Sequence, residues 1–583
     1  MKRTNTCGEL TKKNDEKEVT LCGWVNTRRD HGGIIFIDLR DRYGLTQIVF
    51  DPKDSSDAHK NAEHLRREDV IEISGKVRPR APGMENPKLT TGEIEVIANS
   101  LSILNKSETP PLEVDDRIEA NEDMRLKYRY LDLRRPIMQK RLKLRHDVIS
   151  AGREFFNDNG FLEITTPLLV KSTPEGARDY VVPSRVKGGS FYALPQSPQL
   201  YKQILMVAGF DKYYQTAVCL RDEDLRSDRQ PEHMQFDFEM SFVKSDDIRE
   251  FVEKLYKHIF KKVLDIKLDD FPVFSYKEAM DKYGTDKPDI RFNLELIDVT
   301  DIVKDCDFEV FKKAEKVKCL NPSKEMSRKE LDKYIEFATT NGAKGMAWMR
   351  VTEKGLESNI VKFFNKEMQD KLLSKTGAKK GSVLMFIADG ERSTNEILGK
   401  LRVKLRDDLE LVKNDDFKFC WVNDFPLFAW NKDEDRWEPE HHMFSMPKAE
   451  FIEDFEKKPK EVIGDLWDVV LNGIELGSGS IRVTIPEIQK RIMKFIGIDE
   501  EEAKMKFGFL LEAYKYGGPP HGGMGLGLDR QVALMAGIND IREVIAFPKN
   551  KAAECPMDDC PSEISDKQLK ELSIKLDVVK KKE

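Results

Sequence analysis

The dipeptide Asn472-Gly473 constrains this chain more than any other feature. It lies inside GDLWDVVLNGIELGSGSIRV, residues 464–483, between two runs that are largely apolar or small. A type I′ turn needs positive φ at both central residues, which Asn-Gly accepts at little cost, so the pair closes a two-residue β-hairpin. The turn then sets the register. Val470 faces Glu475, and Asp468 lies on the same face as Glu475, diagonal to it and within bridging reach. Two carboxylates so placed suit a Mg²⁺ ion that also takes nucleotide phosphates. The plainer alternative is an exposed acidic hairpin. Arg482 follows on the returning strand, and Gly477 and Gly479 leave room for a ligand to come close.

Two further stretches carry charge in patterned positions. In YYQTAVCLRDEDLRSDRQPEHMQFDFEMSF, residues 213–242, two alternating strands flank a loop holding Arg226 and Arg229. Phe236 and Phe238 face one way, Asp237 and Glu239 the other. The first strand ends on Arg221, and arginine forks suit phosphate oxygens. A solvated surface hairpin is the bland alternative. In GGPPHGGMGLGLDRQVALMAG, residues 517–537, a glycine-rich turn runs into an amphipathic helix start with Arg530 in its first turn. Free backbone N–H groups there favour anions, although a glycine-rich loop alone is a weak signal.

The rest of the chain divides by pattern. Residues 1–105 read as five short strands with a helical piece, AHKNAEHLRRE, between the third and fourth, as in an OB-type barrel that binds oligonucleotides or serves as a plain scaffold. Residues 106–140, with Pro110 and Pro111 and many charges in the stretch up to 126, read as a hinge. RLKLRHDVISAGREFFNDNG then forms an amphipathic helix stopping at Gly160. Residues 141–292 and 416–555 read as two parts of one α+β catalytic core. Residues 293–415, rich in lysine and helix formers, read as an insertion, and 556–583 as a C-terminal extension.

Composition narrows the class. The 583 residues are 39% hydrophobic and 34% charged, the balance of a folded soluble chain. No run of about 18 apolar residues occurs and the N-terminus lacks an apolar leader, so no membrane span or secretory signal is expected. The eight cysteines show no zinc-like pairing and read as free thiols of a cytoplasmic protein. A net charge of −7 argues against a uniformly basic nucleic-acid surface and leaves room for a local basic footprint.

Together the three charged constellations resemble motif 2, the metal-binding hairpin and motif 3 of class II aminoacyl-tRNA synthetases. FFNDNGFLEITTPLL, residues 155–169, resembles the dimerising motif 1. TPEGARDYVVPSR at 173–185, QSPQLYKQ at 196–203, RDEDLRSDRQPE at 221–232 and GLDR at 527–530 are similar to the bacterial-type aspartyl-tRNA synthetases. The similarity runs over nearly the whole chain, and the insertion looks like that family's GAD domain. The implied fold is multidomain α+β: an N-terminal OB-fold barrel, an antiparallel-sheet catalytic domain, and an inserted α+β domain.

The resemblance implies roles position by position. Arg221 would hold the α-phosphate and the substrate carboxylate. Asp222, Glu223, Gln230 and His233 would contact ATP, and Gly527, Leu528 and Asp529 would line the nucleotide site with Arg530 on the γ-phosphate. Asp468 and Glu475 would bind Mg²⁺. Glu175 would sit on a loop closing over aspartate, and Gln199 would meet its amino end. Lys202 and Arg482 would neutralise its side chain, oriented by Asp237, and His441 would complete the pocket. A carboxylate would satisfy those two cations where asparagine's amide would leave them partly uncompensated, which removes the need for editing. Two positions depart from the family pattern: His233 stands in place of an adenine-stacking phenylalanine, and Met443 in place of a proline.

In the barrel, the resemblance makes Phe36 the aromatic that stacks on an anticodon base, with Arg28 beside it on phosphate or base edges; taken alone, Phe36 would read as core. His31 and Gly83 match positions that mark enzymes charging both tRNA-Asp and tRNA-Asn, the latter product passing to an amidotransferase. The implied partners are those tRNAs, ATP, aspartate and a second copy of the chain in a homodimer. A strict tRNA-Asp enzyme, a related asparagine or lysine enzyme, and a non-catalytic RNA-binding paralogue remain the alternatives. Retention of Arg221, Glu475 and Arg530 argues against the last.

Overall fold

The computed structural model describes residues 3–173, 177–413 and 415–578, which form two compact units. The first unit comprises residues 1–143 and 546–562. Its centre is a closed barrel of Glu18–His31, Ile34–Asp41, Gly44–Phe50, Ile94–Asn105 and Val70–Pro79, in that order around the wall. Alternation builds it. Leu21, Val25, Ile35, Ile37, Ile48, Ile71, Ile73 and Val96 point inward and are fully buried, while their neighbours face out. A helix, Ser56–Ala62, joins the third and fourth strands, capped by Ser55 Oγ. It starts two residues before the stretch singled out in the sequence and ends earlier.

Residues 106–140, expected as a hinge, are anchored instead. Leu112 and Val114 are buried, and short helices Glu122–Lys127 and Arg129–Asp132 follow. Asp132 is fully buried and is bonded by Arg125, Arg129 and Arg135. Density of charge in a sequence does not separate a solvated linker from a buried ion cluster.

The second unit comprises residues 144–545 and 563–583. It holds an eight-stranded sheet, in the order Val273–Ser275, Phe419–Asn423, Leu466–Leu471, Ile474–Ile481, His521–Gly527, Glu232–Ser241, Lys212–Leu220, Leu162–Glu163. The inner pairings are antiparallel and the two outermost parallel. One face carries Phe236, Phe238, Trp467, Val469 and Met524 into a core with Ile248, Phe251, Leu255 and Ile259 of the helix Ser245–Leu264. The opposite face carries Asp237 and Glu239, and Asp237 lines a cavity there.

Residues 293–415 contribute a separate five-stranded sheet, Ile297–Asp298, Lys316–Leu320, Val383–Asp389, Ala347–Thr352 and Gly355–Glu357 in spatial order. Its central strand, VLMFIAD, is apolar on both sides because each face is covered. Val383, Met385 and Ile387 share a core with helices Arg328–Thr340 and Glu391–Asp408, and Leu384 and Phe386 share one with Lys366–Thr376. Among the described residues no helix is long and apolar enough to cross a membrane.

Candidate active site

A cavity of about 420 Å³ opens on the polar face of the large sheet. Nearly all the expected catalytic-domain residues line it: Gln199, Lys202, Arg221, Glu223, Gln230, His233, Asp237, His441, Glu475, Arg482, Gly527, Asp529 and Arg530. Glu175 lies outside the described residues.

At the floor sits a buried charge quartet. Lys202, from the helix Gln199–Val207, places Nζ 2.9 Å from Asp237 Oδ2 and 3.3 Å from Glu239 Oε2. Arg482 donates to both Glu239 oxygens at 2.8 and 3.1 Å, to Ser480 Oγ and to the Gly523 carbonyl. Burial drives the Asp237 carboxyl above the usual carboxylate range, with Lys202 opposing. Burial also works against Glu239, but the guanidinium and ammonium beside it outweigh that and hold it low. Lys202 and Arg482 are therefore not bare cations awaiting a substrate; each has an internal counter-charge. Glu239 was on the correct face in the sequence pattern but was not singled out as a site residue. His442 was missed as well: its Nε2 accepts from Arg482 Nη1 at 2.8 Å, so the ring is neutral, and burial and then Arg482 hold its pKa far down. The expected His441 lines the same cavity, but its Nε2 is 3.2 Å from Asp468 Oδ1, and that carboxylate outweighs burial to raise its pKa. The Met443 position, where a proline was expected, is held by Gln489, whose side chain donates to the Met443 carbonyl at 3.0 Å.

Further out, the loop after Leu220 folds back so that the Arg221 N–H reaches the Pro231 carbonyl at 2.9 Å. Arg229 pairs with Glu223 at 3.1 Å. Arg530 ties this loop to the hairpin, donating to Asp228 Oδ2 and to the Glu475 carbonyl, both at 3.1 Å. The His233 ring lies near Arg221 and Arg530; burial first, then those charges, lower its pKa to about 3, so it offers a flat neutral face. Five polar atoms of cavity-lining residues have no hydrogen-bond partner among the described residues: Gln199 Nε2, Arg221 Nε, Asp237 Oδ1, His441 Nδ1 and Ser445 Oγ. Buried polar atoms are normally paired, so their gathering here marks a place for a polar ligand.

Several expectations need correction. Asp222 turns away from the cavity; its N–H meets the Arg178 carbonyl and its carboxylate lies 3.7 Å from Arg178. The Leu528 side chain is fully buried in the sheet core and lines nothing. Asp529 does line the cavity, with its carboxylate held by Arg145 and by the Met234 N–H at 2.8 Å. Gly477 and Gly479 line the cavity, and the sheet demands them as well: a Cβ on Gly477 would stand 2.3 Å from the Gly525 carbonyl oxygen, and one on Gly479 2.2 Å from Met524 Cγ. The hairpin closes as expected, Val470 opposite Glu475, but a bulge between Val469 and Val470 moves Asp468 opposite Ser478. Asp468 is buried, with Oδ1 accepting from Ser478 Oγ and lying within reach of His441, while Glu475 faces the cavity.

The barrel carries a second constellation. Phe36 is half-buried on the outer wall, because Ile35 and Ile37 beside it point in, and His31 meets its ring edge-on at 6.1 Å. Arg29 and Phe36 are cross-strand partners, as are Asp38 and Gln47. Arg29 bonds Asp38 at 2.9 Å, Gln47 bonds Glu95 at 2.8 Å, and Arg78 bonds Glu95 at 2.9 Å. Arg29, Gln47, Arg78 and Glu95 escaped the sequence reading, although their places in alternating strands put them on the wall that carries Phe36. Arg28 Nε is engaged by the Ala62 carbonyl at 3.2 Å. Gly83 is exposed at φ +82 with open space around it, so backbone conformation accounts for the glycine.

A model of class II tRNA synthetases (D, K and N) matches residues 121–551, and an OB-fold nucleic acid binding domain matches 19–104. The chain belongs to the class II tRNA synthetases. Among similar proteins, the aspartate–tRNA(Asp/Asn) ligase of Caldanaerobacter subterraneus subsp. tengcongensis is 52% identical to this synthetase, covering 99% of each chain. That of Treponema denticola is 51% identical over 98% of this chain and 99% of its own. Among solved structures, asparaginyl-tRNA synthetase of Pyrococcus horikoshii with asparaginyl-adenylate aligns at TM-score 0.59 and 19% identity, covering 94% and 98% of the two chains. Aspartyl-tRNA synthetase of Entamoeba histolytica aligns at 0.58 and 19%, covering 94% and 92%. At that identity the two structures bear on the fold alone.

Proposed function

We propose that this synthetase joins L-aspartate to tRNA with ATP, through an aspartyl-adenylate, and that it charges both tRNA-Asp and tRNA-Asn. The observation that carries the substrate reading is the quartet of Lys202, Asp237, Glu239 and Arg482 under a cavity edged by Arg221 and Arg530. Asp237 and Glu239 counter-charge Lys202 and Arg482 and hold them in place, so an acidic side chain would be taken by exchanging one of these internal contacts for a contact to the ligand, while the two arginines above suit phosphate. The unpaired acceptor Asp237 Oδ1 and the donors on Gln199 and Arg221 offer partners for a zwitterion. The 52% identical relative carries the name aspartate–tRNA(Asp/Asn) ligase, which supports the same reading.

In the first step the aspartate α-carboxylate attacks the α-phosphorus of ATP and pyrophosphate leaves. The nucleophile is already ionised, so no general base is needed; Arg221 and Arg530 hold the phosphates in line and neutralise developing charge. In the second step the terminal hydroxyl of the tRNA attacks the adenylate carbonyl and AMP leaves. The neutral His233 ring would pack on the adenine.

The donors for Mg²⁺ fit. Glu475 presents a carboxylate to the cavity, Asp468 lies behind it, and the Lys287 ammonium feels the charge of both. Among the described residues no third acidic, histidine or cysteine side chain completes a metal cluster, so phosphates and water would fill the remaining positions. Bound there, the ion would neutralise phosphate charge and fix the phosphate geometry.

The outer wall around Phe36 would take the anticodon, with His31 and Gly83 admitting both last bases. The exposed Leu162, Leu168 and Leu169 of the stretch resembling motif 1 support a homodimer. Residues 293–415 would be the GAD-type insertion, the site cytoplasmic, and Asp-tRNA-Asn would pass to an amidotransferase. The test is aspartate charging of tRNA-Asp and tRNA-Asn transcripts by the purified chain with ATP and Mg²⁺. Both accept aspartate if the proposal holds. Charging of tRNA-Asp alone would remove the dual specificity, and charging of neither would remove the activity.

A further inference from the structure

Lys287 belongs to none of the motifs read from the sequence. It lies in TDKPDIR, residues 285–291, between the helix Tyr276–Tyr283 and the inserted domain. Its N–H is fixed by Thr285 Oγ1 at 3.1 Å, and its Nζ stands 3.1 Å from Glu475 Oε2 and 3.3 Å from Asp286 Oδ2. The ammonium therefore contacts the cavity-facing carboxylate of the hairpin.

The arm that carries it is fastened from two sides. On one side, a Cβ on Gly473 would lie 3.1 Å from Asp289 Cβ, so the hairpin turn packs directly against the arm. On the other, the inserted helix Glu391–Asp408 grips the same residue. Arg406 donates to Asp289 Oδ2 at 2.9 Å, and Arg402 donates to the Asp289 and Phe292 carbonyls at 2.8 and 3.0 Å. The Arg402 guanidinium also lies 3.9 Å from the centre of the Phe292 ring. A run of short contacts thus links the inserted domain, through Asp289, to Lys287 and Glu475.

We propose that Lys287 is a positioning residue for the cation site: its ammonium holds Glu475 in the free protein, a divalent ion must displace it, and the inserted domain keeps it in place. The inference rests on the reading of Glu475 and Asp468 as Mg²⁺ carboxylates. Lysine suits the task because its compact charge sits on a flexible stem and its contact geometry is undemanding. The side chain is 39% exposed, so it has room to leave. An ion arriving alone meets a like charge at Glu475. One arriving with ATP brings phosphate oxygens that receive the displaced ammonium. The arrangement favours entry of the ion with its nucleotide over entry alone, and it gives the inserted domain a structural part in the reaction centre.

The test measures Mn²⁺ binding to the full-length protein without ATP, by the electron paramagnetic resonance signal of free Mn²⁺. Wild type, Lys287→Met, Lys287→Arg, Arg406→Met and Glu475→Gln are compared, each checked for folding by circular dichroism. Lys287→Met should bind Mn²⁺ about five- to tenfold more tightly, the effect of removing one nearby like charge in a partly solvated site. Lys287→Arg should stay near wild type, and Arg406→Met should move toward Lys287→Met. Equal or weaker binding by a folded Lys287→Met, while Glu475→Gln loses the ion, would overturn the proposal and leave the cation site standing. Unchanged Mn²⁺ binding by Glu475→Gln would instead remove the cation site itself, and the proposal with it.

Discussion

Replacing Lys202 with methionine isolates the role of the buried quartet. The ammonium is almost wholly buried and bridges Asp237 and Glu239 at 2.9 and 3.3 Å. Methionine keeps most of the volume and removes the charge. Glu239 retains Arg482 on both oxygens, so the loss falls mainly on Asp237, which keeps no cationic donor and is left with the Gln235 amide at 3.2 Å. Removing one member of a buried ion pair costs about 3–5 kcal/mol, and with one carboxylate still served the lower end, about 3 kcal/mol, is expected. The sign of the pH dependence follows from Asp237. Its folded-state pKa already lies above the unfolded value, burial being the main cause, and loss of Lys202 raises it further. A raised acid binds more protons folded than unfolded, so stability falls as pH rises from about 4, the ordinary carboxylate pKa, through the folded value. The deficit of Lys202→Met should therefore be large at pH 8 and shrink toward pH 5. Urea unfolding of both proteins across that range measures it, and pyrophosphate exchange with aspartate should fall in parallel. A deficit under about 1 kcal/mol at pH 8, or one that does not change with pH, would refute the argument that Lys202 counters a buried carboxylate.

Two further outcomes are expected. Phe36→Ala should lower kcat/KM for tRNA charging by about 1–3 kcal/mol of base stacking while leaving ATP–pyrophosphate exchange unchanged, a split that comparing the two assays reveals. Gly479→Ala should destabilise the catalytic unit by about 1–3 kcal/mol, because its Cβ would stand 2.2 Å from Met524 Cγ and 2.8 Å from the Gly523 carbonyl oxygen; thermal unfolding checks it.

Much of the site was legible in the chain because its signals are local. Alternation placed Asp237 and Glu239 together on the face opposite Phe236 and Phe238, which is where they lie. The glycines were half legible. Gly477 and Gly479 read as room for a ligand and do line the cavity, but the neighbouring strand and Met524 also require them, which no local pattern names. The hinge misled for a related reason: the buried Asp132 cluster and a solvated charge run have the same composition. Asp222 and Leu528 were assigned to the nucleotide from motif position alone, and packing sends one to Arg178 and the other into the core.

By itself the sequence determined the elements: the barrel strands through their period of two, the 472–473 turn through residues that accept positive φ, and the identity of the charged groups at strand ends. These depend on interactions within a few residues. Only the tertiary structure decided which charges meet. Lys202 finds Asp237 and Glu239 35 and 37 positions away because one helix packs across one sheet, and Arg482 joins them from another strand. The bulge at Val469 shifts Asp468 to Ser478, and the inserted helix brings Arg406 to the arm that carries Lys287 onto Glu475. Such contacts depend on strand order and on the packing of distant segments, which periodicity along the chain does not encode.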